Sequence, residues 1–156
     1  GTNPKLNVGD PAPDFELDSD DSGRVALEDL LDGRLVLYFY PQDNTPGCTT
    51  QACDFRDELA SFRERGWRVV GVSPDSVDSH ETFREDHDLN FTLLSDPEQE
   101  LAEAYGVWRE KTNFGNTYMG IVRSTFLIDE DGTILDIQDN VQAKGHVDRV
   151  LRDLPD

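Results

Sequence analysis

Apolar residues along this chain recur with two different spacings, and each spacing predicts a different element. Leu35 to Tyr40 is a near-continuous apolar run closed by Pro41, and Val69 to Val72 is a second. Both predict strands buried on two faces, the habit of a parallel sheet. Between them Ala52, Phe55, Leu59 and Phe62 recur at intervals of three and four, which predicts a helix with one apolar stripe ending near Gly66. The result is a strand, helix, strand unit. Further on, the pattern predicts a helix from Ser76 to His87, a short strand from Phe91 to Leu94, and a third helix announced by Ser95-Asp96-Pro97 and finished by Gly106. Ser124 to Asp129 and Thr133 to Gln138 surround Asp131-Gly132, a hairpin signal, and a last helix covers Gly145 to Leu154. Near the start, Asp14 to Leu17 and Arg24 to Leu27 flank a polar turn at Ser19 to Gly23. Together these elements predict an α/β fold with a central mixed β-sheet flanked by helices, parallel in its core and ending in an antiparallel hairpin.

Length adds that 156 residues suit one domain spanning 1–156, large enough to bury a core without staples. Charge changes the picture more. Asp and Glu number 33 against 14 Lys and Arg, a formal charge of -19, which repels nucleic acid and anionic membranes. The acids spread from Asp10 to Asp156, and only Lys5, Lys111 and Lys144 are lysines. That distribution suits a protein of a halophile, with molar intracellular salt, better than an acidic tail. No apolar run approaches the roughly 20 residues that span a bilayer, and the start lacks a basic region followed by an apolar core. A soluble, cytoplasmic protein is therefore expected, and a monomer, since no exposed apolar element is evident.

Cys48 and Cys53 are the two cysteines. In a reducing compartment they are poor candidates for a permanent staple, so redox or metal chemistry comes into question. The segment from Tyr40 to Cys48 leaves the carboxyl end of a buried strand and enters a helix, where open α/β sheets place their chemistry. Unpaired N–H groups and the helix dipole favour a thiolate in that first turn. The Thr45 hydroxyl, just before the helix, is suited to orient the sulfur or a bound oxygen. Cys48 shares the apolar stripe with Ala52 and Phe55, whereas Cys53 lies roughly 140° around the helix and about 8 to 9 Å away along Cα. A disulfide needs Cα atoms closer than about 7 Å, so joining the sulfurs requires the first part of the helix to unwind. Spacing alone leaves open that Cys48 is a small core residue and Cys53 an incidental surface thiol. It disfavours a Cys-x-x-Cys exchanger. A zinc site is disfavoured as well, because His80, His87 and His146 are scattered; His80 and His87 read as solvated surface residues. Asp43, Asp54, Asp57 and Glu58 crowd the site with charge that opposes a thiolate.

The run Tyr38-Phe39-Tyr40-Pro41 through Asn44-Thr45-Pro46-Gly47-Cys48-Thr49-Thr50 to Cys53 resembles the peroxiredoxins, and more narrowly their Q-type, or bacterioferritin comigratory, group. The resemblance continues from Tyr118 to Asp129. It implies a thioredoxin-like fold and a thiol-dependent peroxidase acting on hydrogen peroxide and organic hydroperoxides. In it Cys48 is the peroxidatic cysteine, Cys53 the resolving cysteine of an intramolecular disulfide, and Pro41, Thr45 and Arg123 complete the peroxide site. Arg123 enters through the resemblance alone. The family needs no metal, haem or flavin, and a thioredoxin-like donor restores the thiols. The competing reading is a non-catalytic redox sensor, or a partner-binding module, that uses the same disulfide as a switch.

Overall fold

Strand β3 (Arg34–Phe39) reads as an unbroken apolar run because both its faces are covered in the computed structural model, which describes residues 6–156. It lies inside a seven-stranded sheet with the order β2-β1-β5-β4-β3-β8-β9. The parallel centre is β3, β4 (Trp67–Ser73) and β5 (Thr92–Ser95). Antiparallel strands extend it on both sides. β8 (Ser124–Ile128) and β9 (Ile134–Gln138) join beyond β3, while β1 (Glu16–Ser19) and β2 (Arg24–Ala26) join beyond β5. This is the thioredoxin-like, mixed-sheet architecture that the apolar pattern and the resemblance imply.

Alternation along β3 divides the interior into two cores. Leu35, Leu37 and Phe39 join Val70, Val72 and Phe126 on one face, beneath Leu101, Ala102 and Tyr105 at the short helix α3 (Glu100–Ala104). Val36, Tyr38 and Tyr40 face the other way, against Ala52, Phe55, Leu59 and Phe62 of α1 (Pro46–Glu64). Phe83 of α2 (Val77–His87) and Val147 and Val150 of α4 (His146–Asp153) complete that second core. Tyr38 lies flat over Gly71 of β4, where an added Cβ would come within 2.9 Å of its ring, so β4 needs glycine there. No helix of the described residues is long and apolar enough to cross a membrane.

Two expectations change. α3 begins at Glu100, later than Pro97 predicts, because Gln99 adopts a left-handed conformation at φ 55°. The Asp96 carboxylate then accepts from the Leu101 and Ala102 N–H groups at 3.1 and 2.9 Å. Asp96 does cap the helix, but across an intervening turn. The second change is a hairpin that the pattern does not predict, β6 (Trp108–Asn113) with β7 (Asn116–Ile121), forming its own two-stranded sheet. Its strands are largely exposed, so no apolar alternation marks them. Its turn places Phe114 and Gly115 at φ 51° and 79°, the paired left-handed conformations that Asn-Gly usually signals. Phe114, Tyr118 and Met119 are exposed there, an apolar element that the sequence did not reveal.

Candidate active site

The chain leaves β3 with the Tyr40 N–H donating to the Val72 carbonyl, passes Pro41, and turns sharply at Asn44, which is left-handed at φ 58°. Thr45 is extended at the start of α1, and Pro46 fills the first helical position, where its missing N–H costs nothing. The Thr45 carbonyl accepts from the Thr49 N–H at 2.8 Å, opening the helix. Its hydroxyl donates to the Gln42 carbonyl at 2.9 Å and caps no helical N–H.

Cys48 follows in the first turn, 2% exposed, on the stripe of Ala52 and Phe55, as the helical spacing predicts. Cys53 is half-buried on another face of the same unbroken helix, and both thiols are free. Arg123, between β7 and β8, points its guanidinium at the first turn of α1. One nitrogen donates to the Cys48 Sγ at 3.4 Å and the other to the Gln51 Oε1 at 2.5 Å. The Arg123 carbonyl accepts from the Val141 N–H at 2.9 Å, which fixes the backbone behind it. Gly47 leaves room for this approach, since an added Cβ would sit 3.3 Å from the guanidinium.

Cys48 and Arg123 are thus in direct contact. Pro41 lies just beyond β3 and Thr45 just before α1, on the loop that leads to Cys48, and Cys53 stands apart. Gln51 is a site residue that the sequence reading missed. The available signal was a polar side chain three positions after Cys48, on the core-facing side of the helix. Lys111 approaches from the hairpin, its ammonium donating to the Ile121 carbonyl at 2.8 Å. Burial and then Arg123 hold its pKa below the usual lysine range, with Cys48 acting the other way.

On the α2 side the histidine reading is overturned. His80 is fully buried, with Nδ1 2.7 Å from the Asp43 carboxylate and Nε2 2.9 Å from the Leu94 carbonyl. Burial pushes the ring toward neutrality, but the hydrogen bond and charge of Asp43 outweigh it, and the His80 pKa rises. His87 is half-buried and lies 3.0 Å from the Asn44 side-chain oxygen. Asp43 likewise does not act as the bare acid the sequence suggests. Its carboxylate also accepts from the Tyr40 and Ser79 hydroxyls at 2.6 and 2.8 Å, and it is buried in this pair. Asp54 does sit in a crowd of acids. Burial first, then Asp148, Asp57 and Glu58, raise its pKa.

Asp43, Asp75 and His80 have the composition of a metal site. Their acceptor atoms are already engaged, because Asp75 accepts from the Asp43 N–H at 2.8 Å and the Ser73 hydroxyl at 2.6 Å. The geometry is that of a hydrogen-bond network, with protons where a cation would have to sit. A groove of about 490 Å3 opens at the far end of the sheet, beside Arg34, Trp67 and Arg68, and shares no residue with the Cys48 site.

Comparison with known proteins points the same way as this geometry. Residues 8–137 match the AhpC/TSA family. The chain is 51% identical over 151 residues to peroxiredoxin Bcp of Bacillus subtilis, covering 97% of this chain and 96% of that one. It is 44% identical over 146 residues to peroxiredoxin Bcp of Escherichia coli, covering 94% of each. Among solved structures, a PrxQ variant of Xylella fastidiosa superposes with a TM-score of 0.89 at 37% identity, over 96% of this chain and 95% of that one. The bacterioferritin comigratory protein of Xanthomonas campestris, described for its alkyl peroxide reduction activity, superposes with a TM-score of 0.83 at 38% identity over 88% of each chain.

Proposed function

This chain belongs to the AhpC/TSA family, in its Bcp and PrxQ group of thiol peroxidases, and on that premise we propose that Cys48 attacks the peroxide and Cys53 resolves the product. The carrying observation is the Arg123 guanidinium 3.4 Å from the Cys48 sulfur at the start of α1. A cation and a helix N-terminus face the one atom that must bear negative charge to be a nucleophile. The thiolate attacks one peroxide oxygen and the O–O bond breaks. The other oxygen leaves as water or an alcohol after taking a proton, and the sulfur becomes a sulfenic acid. Arg123 stabilises charge on the sulfur and on the oxygens during displacement. Pro41 shields the sulfur, and the Thr45 hydroxyl turns from the Gln42 carbonyl to the bound peroxide.

The Cys53 thiol then condenses with the sulfenic acid, forming the disulfide and releasing water. An external dithiol of the thioredoxin type returns two electrons and two protons by exchange. Organic hydroperoxides are substrates alongside hydrogen peroxide, a reading supported by the activity described for the Xanthomonas relative. We also propose that the protein works as a single-domain monomer in a salt-rich cytoplasm; the salt-rich setting is supported by a charge of -19 spread along the chain, whose self-repulsion salt screens.

The test is a steady-state peroxidase assay with a thioredoxin-type donor, coupled to mass spectrometry of the oxidised protein. Cys48→Ser should lose all turnover, while Cys53→Ser should consume about one equivalent of peroxide and then stop. Full turnover by Cys48→Ser would sink the assignment. Stoichiometric thiol loss in the wild type without turnover on any donor would leave only a redox switch.

A further inference from the structure

Resting on the roles just given to Cys48 and Cys53, we propose that His80 and Asp43 form a latch that holds the turn bearing Cys48 in its peroxide-reactive position, and that opening the latch releases this turn for the disulfide. Both are positioning residues, since neither touches the sulfur.

The start of α1 has little holding it from within. Thr45 makes no side-chain cap, no acidic residue lies in the first turn, and Pro46 contributes no N–H. Such an end frays readily unless the chain before it is anchored. That chain is anchored, and to α2. The Asp43 carboxylate accepts from the Tyr40 hydroxyl, the Ser79 hydroxyl and His80 Nδ1, all within 2.8 Å. His80 has an acceptor at each ring nitrogen, Asp43 at one and the Leu94 carbonyl of β5 at the other. A ring flanked by two acceptors donates from both nitrogens, which is the charged imidazolium. The pair is therefore an ion pair with doubled hydrogen bonding inside the protein. The groups facing His80 are Asp43 from the loop, Tyr40 from β3 and Asp75 from the segment before α2. One residue further along, Asn44 lies between His87 and Asp86 at 3.0 and 3.3 Å, a second and exposed tie to the same helix.

Two successive residues of the loop are thus fastened to α2, and Cys48 follows four residues later. Peroxide attack needs the fastened state, in which Cys48 faces Arg123. Disulfide closure needs that first turn unwound, because Cα atoms about 8 to 9 Å apart on an intact helix exceed the span of the bond. Latch strength consequently divides the sulfenic acid between two fates. In one, Cys53 displaces the sulfenic oxygen as water and the disulfide forms. In the other, a second peroxide transfers an oxygen to the sulfur, leaving sulfinic acid and one water or alcohol.

The experiment is stopped-flow oxidation of the reduced protein, with sulfinic acid measured by mass spectrometry across a peroxide titration. His80→Gln and Asp43→Asn should each lower the second-order rate of Cys48 oxidation by roughly tenfold, while disulfide closure quickens and several times more peroxide is needed for half-conversion to sulfinic acid. His87→Ala loosens only the exposed tie, and should move all three readings in the same direction by about twofold. Circular dichroism and melting identify the variants that fold; where His80→Gln does not, Asp43→Asn and His87→Ala decide. A purely structural role would slow both steps together. Unchanged closure rate and sulfinic yield in the folded variants would overturn the latch. If wild-type Cys48 is not the oxidised residue, the cysteine assignment fails instead, and the mass spectrum separates the two failures.

Discussion

His80 on the α2 side of the Cys48 site and His146 on the α4 side are both fully buried, yet their pKa values move in opposite directions. His80 meets the Asp43 carboxylate, which keeps its proton on. His146 meets only the Thr125 hydroxyl, 2.8 Å from Nε2; burial, then Arg149 and Arg123, push its pKa down to about 4. Burial alone would neutralise both rings; the nearest partner decides which one resists. The difference matters for the sulfur between them. The α2 side presents the Asp43 and His80 ion pair with a second carboxylate, Asp75, beside it, and the α4 side a ring that burial and two arginines keep from charging. Arg123 is left as the uncompensated charge in contact with Cys48.

The two sides differ most at Asp43. Asp43→Ala lets the His80 ring neutralise and leaves it, the Tyr40 hydroxyl and the Ser79 hydroxyl without their shared acceptor, which should cost about 3–5 kcal/mol of unfolding free energy, whereas Thr125→Val removes one neutral partner and should cost about 1–3 kcal/mol. Urea unfolding at neutral pH measures both, and equal losses would mean that the two sides are not electrostatically different.

A pH series sharpens the same contrast. The raised pKa of His80 gives stability that is complete below its unfolded value near 6.5 and is lost as pH climbs through the folded value. His146 has the opposite sign. Its contribution, up to about 3 kcal/mol, is complete above 6.5 and is lost as pH falls toward about 4. Unfolding free energies of His146→Gln should therefore lose slope on the acid limb, and those of His80→Gln on the alkaline limb. A swapped pair of limbs would refute both assignments.

The smallest effect per group is that of salt. At about 1 M the Debye length falls to roughly 3 Å, relieving the crowd of Asp54, Asp57, Glu58 and Asp148 by a few tenths of a kcal/mol per pair while sparing the buried His80 pair. Melting temperature and peroxidase activity should climb into the molar range, by the same increment in His146→Gln as in the wild type. Identical stability at low and high salt would rule out salt adaptation.

What was legible in the sequence follows from range of interaction. The apolar stripe of α1 placed Cys48 inward and Cys53 aside because 3.6 residues per turn is a local rule. The parallel strands were legible because burial on both faces leaves an unbroken apolar run. His80 misled because a histidine on the stripe of Phe83 looks the same whether water or a carboxylate meets it. Its partner is 37 residues away. The β6 and β7 hairpin was hidden for the converse reason, since strands wet on both sides carry no apolar alternation.

By itself the sequence determined the strands of the central mixed sheet, the helices that flank it, and the two unequal thiols at the mouth of a helix, but not the β6 and β7 hairpin. Each depends on neighbours within a few residues or on a family pattern written in contiguous motifs. Arg123 was legible only through the family resemblance, and tertiary structure supplied its contact with the Cys48 sulfur, 75 residues away; tertiary structure alone decided that Asp43 meets His80 rather than opposing the thiolate. Charge states inside a protein depend on which groups the fold brings within about 3 Å, and separation along the chain does not encode that distance.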